Sequence, residues 1–99
     1  NEAIKVDNNY ADAWFNLGLT YANQRNFNSS INCFDKVIGI DSDYALAYYA
    51  LGLAYEYKNE NEKAIENYTK YTKYEKDKKL IDTVNNKIQQ LKQMPQWKE

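Results

Sequence analysis

Apolar residues recur at helical spacing along most of the chain. Between Ala11 and Gln24, the residues Trp14, Leu17, Tyr21 and Ala22 share one face of a predicted helix. A polar break from Asn23 to Asn28 follows, and Ile31, Phe34, Val37 and Ile38 then mark a second helix. The same order returns. Ala47, Tyr48, Leu51 and Tyr55 trace a third helix, Lys58 to Asn61 a second break, and Ala64, Ile65, Tyr68 and Tyr71 a fourth helix. Two helices joined by a short polar break make an antiparallel hairpin. The last apolar stripe, Leu80, Ile81, Val84, Ile88 and Leu91, predicts a terminal helix over Lys79 to Gln93 with one polar face.

The two hairpins are copies. Leu17-Gly18-Leu19-Thr20-Tyr21 reappears 34 positions on as Leu51-Gly52-Leu53-Ala54-Tyr55, and Trp14 aligns with Tyr48, Phe34 with Tyr68, and Lys36 with Lys70. Sustained self-similarity at a fixed period marks stacked helical repeats. Gly18 and Gly52 hold the same phase inside predicted helices, where Gly costs about 1 kcal/mol relative to Ala. Their placement predicts a close crossing by a neighbouring helix, at a point where a side chain would clash.

These positions resemble the tetratricopeptide repeat. Its pattern W-x2-L-G-x2-Y…A-x3-F is met by Trp14, Leu17, Gly18, Tyr21, Ser30 and Phe34, and again by Tyr48, Leu51, Gly52, Tyr55, Ala64 and Tyr68. The resemblance implies an all-α solenoid of stacked antiparallel hairpins with a C-terminal capping helix. It divides the chain into residues 1–10 (tail of a preceding repeat's second helix), repeats at 11–44 and 45–78, a capping helix at 79–93 and a tail at 94–99. The family's usual proline near the repeat end is replaced by Asn8, Ser42 and Lys76, and its small residue late in the second helix by Val37 and Tyr71.

In this family the first helix of each repeat lines a concave groove, at phases left free by packing. Carried over, those phases are Asp12, Phe15, Asn16, Leu19 and Asn23, then Leu46, Tyr49, Ala50, Leu53 and Tyr57, with Val84 and Lys87 added by the terminal helix. Relatives that clamp a carboxylate use Lys, Arg and Asn at several of these phases. Here Phe15, Leu19, Ala50, Leu80 and Val84 stand there instead. The resemblance thus implies an apolar groove for a peptide or amphipathic helix, centred on Phe15, Asn16, Leu19, Asn23, Tyr49, Ala50, Leu53 and Tyr57. The alternative for Phe15 and Tyr49 is packing between neighbouring first helices.

Composition narrows the function further. Ninety-nine residues fit one small domain, and the chain opens inside a helix without Met, as a fragment of a longer protein would. Removal of most of a preceding repeat should uncover the face around Trp14 and Leu17, and an exposed apolar patch invites self-association. No apolar run is long enough to span a membrane, and no signal peptide is present. Single Cys33 admits no intrachain disulfide and points to a reducing, cytoplasmic setting.

Basic residues gather late in the chain, around Lys70, Lys73, Lys76, Lys78 and Lys79. Glu75 and Asp77 interrupt them, which reads as a solvated helix end rather than a nucleic-acid face. The triplets Asn28-Ser29-Ser30 and Asn67-Tyr68-Thr69 match the glycosylation acceptor but fall on predicted helices. There is no His, so the usual general base near neutral pH is missing. Cys33 has no imidazole partner, and no phosphate loop or metal set is spelled out. The expectation is a non-enzymatic scaffold for a protein or peptide partner, without cofactor or metal. A structural, self-associating segment of a longer solenoid is the alternative.

Overall fold

A computed structural model describes the backbone of residues 2–93 and the side chains of residues 10–93. The expected tail with Pro95 and Trp97 lies outside the described residues. Among the described residues five helices follow one another: α1 (Glu2–Asn23), α2 (Phe27–Ile40), α3 (Ala45–Tyr57), α4 (Asn61–Tyr74) and α5 (Lys78–Gln93). Among the described residues there is no strand. α1 packs on α2 and α3 on α4 as hairpins, and α2 against α3 joins the two. α5 lies on α4.

The N-terminal boundary differs from expectation. Residues 2–10 are not set off as a separate helix tail but run on into the first helix of the 11–44 repeat. No Pro or Gly lies near Asn8 to stop a helix there, so the backbone continues.

Each hairpin closes through its glycine. A β-carbon at Gly18 would lie 2.5 Å from Phe34 Cε1, and one at Gly52 would run into the Tyr68 ring, with Cδ1 at 2.5 Å. The two glycines thus form notches that seat the two most buried rings of the second helices, Phe34 and Tyr68. The turns inside the hairpins are also copies. After α1, Asn26 N–H donates to Tyr21 O (2.8 Å) and Arg25 N–H to Ala22 O (2.9 Å). After α3, Glu60 N–H donates to Tyr55 O (2.9 Å) and Asn59 N–H to Glu56 O (2.9 Å). This paired closure is the Schellman motif, which needs a left-handed residue at its centre. Arg25 and Asn59 take that role with φ of 63° and 64°.

Where the family has its proline, the α2–α3 turn is held by side chains. Asp41 Oδ1 accepts from Asp43 N–H (3.1 Å), and Tyr48 Oη donates to Ser42 O (2.9 Å). Val37 and Tyr71, larger than the family's small residue, are both accommodated in the core. Ser30, at the repeat's alanine position, is buried with its hydroxyl bonded to Phe27 O at 2.9 Å. The α5 stripe of Val84, Ile88 and Leu91 completes the core against α4, together with Tyr48, Ala64, Tyr68 and Tyr71.

A candidate peptide groove between the first helices

The ends of α1 and α3 and the start of α2 enclose an open cleft of about 360 Å³. Phe34, Ala50 and Ala54 lie buried at its base, and Leu19, Leu53, Phe27 and Tyr57 stand along it, with Asn23 and Arg25 at the polar edge. Helical spacing explains the alignment. Leu19 and Asn23 are four residues apart on α1, and Ala50, Leu53, Ala54 and Tyr57 form one face of α3. Leu19 is 40% exposed and Tyr57 62%. Tyr57 nonetheless has a fixed setting: its ring stacks on Phe27 at 5.1 Å with an interplanar angle of 6°, and the Arg25 guanidinium lies over it at 5.9 Å.

The expected groove residues divide into two groups. Leu19, Asn23, Ala50, Leu53 and Tyr57 come together around the cleft. Phe15, Asn16 and Tyr49 do not. Phe15 packs on Phe34 and Tyr44, with ring centroids at 5.6 and 5.3 Å, and Tyr49 on Tyr68 and Tyr71 at 5.7 and 5.3 Å. Asn16 is exposed beside them, its carbonyl accepting from Thr20 Oγ1. Asp12 accepts a 2.6 Å bond from Tyr44 Oη, and Leu46 is exposed. Val84 belongs to the core rather than the groove, because it shares its α5 face with Ile88 and Leu91 and that face is turned to α4. Lys87, on a neighbouring face, does reach the groove side. It lines a smaller recess of about 180 Å³ with Leu53, Glu56 and Tyr57.

Most charges around the cleft are already matched. Glu56 accepts from Tyr68 Oη at 2.8 Å and pairs with Lys87 at 3.4 Å. Burial, and then the Glu56 bond, push the Tyr68 phenol far above its ordinary range. Glu60 pairs with Lys58 and Lys63, each at 3.4 Å. Desolvation tends to raise the Glu60 carboxyl, but the two lysines outweigh it and hold it below the usual carboxylate range. Arg25 is different: among the described residues it has no carboxylate within 4.0 Å.

Arg25 and Phe27 were not among the expected site residues, which were confined to first-helix phases. One signal was present: aligned at the 34-residue period, Arg25 stands where the second copy has Asn59. Among the described residues no cluster of His, Cys, Asp and Glu could hold a metal ion, and no helix is long and apolar enough to cross a membrane.

Comparison with known families decides the architecture. Tetratricopeptide repeat models match residues 11–44 and, separately, 45–78. The chain belongs to the tetratricopeptide repeat family. Tetratricopeptide repeats serve as protein–protein interaction scaffolds, and the five-helix arrangement above is their stacked-hairpin architecture. Over 35 residues the chain is 40% identical to a protein of Oryza sativa subsp. japonica described as a probable UDP-N-acetylglucosamine–peptide N-acetylglucosaminyltransferase SPINDLY. A protein of Hordeum vulgare with the same description matches to the same extent. The match takes in 35% of this chain and only 4% of either relative.

Proposed function

We propose that this tetratricopeptide repeat segment is a non-enzymatic scaffold that holds a peptide or helix of a partner protein in the cleft between α1 and α3. The carrying observation is the exposure of Leu19 and Tyr57 beside a buried apolar floor of Phe34, Ala50 and Ala54. At about 360 Å³ the cleft sits at the lower end of the volumes that enclose small ligands, and it is open along one side. Its size and openness suit one or two anchor side chains of a longer segment better than a cofactor. The cytoplasm is the compartment we assign, from lone Cys33. Glycosyl transfer by the cereal relatives is not carried over, since so small a part of them is matched.

The test uses residues whose loss leaves the fold intact. Leu19 and Tyr57 are exposed, so Leu19→Ser with Tyr57→Ser should keep the helical spectrum. A fluorescein-labelled amphipathic peptide with leucines at helical spacing is titrated against the chain and the double variant. Loss of binding supports the groove, and unchanged affinity removes it.

A second reading, self-association, draws on the other side of α1. Tyr10 and Leu17 are 55% and 40% exposed on one helix. α5 presents Asp82, Thr83, Asn86 and Gln90 to solvent, with Leu80 exposed at its start. Association through the α1 stripe would pair two copies about a two-fold axis. A mass that stays monomeric across a concentration series would dismiss this reading.

A further inference from the structure

Arg25 is placed at some energetic cost. It occupies the left-handed centre of the Schellman turn, with φ of 63°. That site favours Gly, or Asn as at Asn59 in the second repeat. An ordinary side chain there strains its own backbone, and such strain persists where surrounding contacts fix it. Here the contact is with Tyr57: the guanidinium lies over that ring, which is stacked in turn on Phe27. The result is a cation held at the rim of the apolar cleft. Its neighbours on the same edge do not neutralise it. Glu60 is taken by Lys58 and Lys63, and Glu56 by Tyr68 and Lys87. Among the described residues the edge therefore offers one guanidinium without a carboxylate partner, five hydrogen-bond donors in a planar fork suited to a carboxylate.

We infer that the groove selects partner segments in which an aliphatic anchor is followed, within about one helical turn, by an Asp or Glu side chain. The anchor enters between Leu19 and Leu53, and the acidic side chain meets Arg25. This inference rests on the groove reading above and adds the chemistry of its occupant. It differs from a terminal-carboxylate clamp, whose positions are apolar here. One cation outside the apolar strip would read a side-chain charge and leave the peptide's end unconstrained. Arg25 acts as a selectivity residue, and the apolar contacts supply the rest of the affinity.

The experiment compares two labelled peptides, both amphipathic helices with leucine anchors. One carries Glu at the positions flanking the anchors, the other Gln. The 99-residue chain should prefer the Glu peptide by roughly tenfold, the factor expected of one charge-assisted contact, and rising salt should narrow the gap. Arg25→Asn should remove the preference, bringing the two peptides to equal affinity. Because Asn59 already fills the equivalent turn, this variant should melt no lower than the parent, so lost selectivity will not be lost fold. A preference that survives R25N overturns the inference. Equal binding of both peptides, abolished by Leu53→Ser, overturns it and leaves the groove standing. If neither peptide binds, the inference and the groove fall together.

Discussion

The two repeats spell their first helices almost alike and bury them differently. Leu51 is 2% exposed, whereas Leu17, its counterpart 34 residues earlier, is 40% exposed. Leu51 packs with Ile31 and Phe34 of α2, the second helix of the repeat before it. Leu17 has no such helix against it among the described residues. The same letter at the same phase is thus core in one repeat and surface in the other. A repeat position specifies which face an element offers, and the neighbouring repeat decides how much of that face is buried.

The largest break in the comparison should come from Leu51→Ala set beside Leu17→Ala. Removing a buried leucine costs about 2–5 kcal/mol, but the half-exposed Leu17 should lose about 1 kcal/mol or less. Chemical denaturation of the two variants reads both, and equal losses would mean that α2 does not shield α3.

Next come the notches. Gly52→Ala gains about 1 kcal/mol of helix propensity, but the new methyl meets the Tyr68 ring, whose hydroxyl is anchored on Glu56. Overpacking of this kind costs about 1–3 kcal/mol, so the variant should melt lower. Trimming the ring with Tyr68→Leu should remove the penalty of the added methyl. Gly18→Ala should behave similarly against Phe34, though that ring has no polar anchor to resist a shift.

Alkaline pH should act on both repeats, and more on the second, by a chemical route. The second helix of one repeat places Phe34 over its glycine, and that of the other places ionisable Tyr68. Burial raises Tyr71, with help from Glu75, to about 12, and raises Tyr44, bonded to Asp12, to about 12 as well. An unfolded tyrosine ionises near pH 10. The folded pKa values lie above the unfolded one, so the contribution of these phenols to stability is complete below about pH 10 and is withdrawn as pH rises toward about 12. Stability measured across that window should fall, and Tyr68→Phe should lessen the fall while making the second hairpin chemically like the first.

The smallest effect is the exchange of turn residues. Asn59→Arg should lose about 1 kcal/mol and Arg25→Asn should gain a similar amount, the scale of left-handed strain in an ordinary residue. Thermal melting of the two single variants and the swap would show whether the strain resides in the turn itself.

The hairpins were legible in the sequence because their determinants are local. Helical spacing fixed which faces pack, and the paired Gly18 and Gly52 announced a close crossing that the Phe34 and Tyr68 rings supply. The groove was legible only in part. Leu19, Asn23, Ala50, Leu53 and Tyr57 follow from first-helix phase alone, and they meet in the cleft. Phe15 and Tyr49 share that phase, but aromatic neighbours from other helices draw them into packing contacts. Phe27 and Arg25 reach the cleft from the turn and the start of α2, a juxtaposition that exists only once the hairpin closes on α3. Val84 was misplaced for a related reason: an apolar residue on a terminal helix has two surfaces to choose between, and its phase with Ile88 and Leu91 settles which.

The rings seated over Gly18 and Gly52 also have a mechanical side. With its ring in its notch, each hairpin is pinned internally, and the contact within each hairpin is more extensive than the contact between the two. The seam from α2 to α3 is built on Ile31, Phe34 and Leu51, with Ala50 and Ala54 buried beside them. The cleft opens beside that seam, so its width follows from how the two hairpins sit on one another.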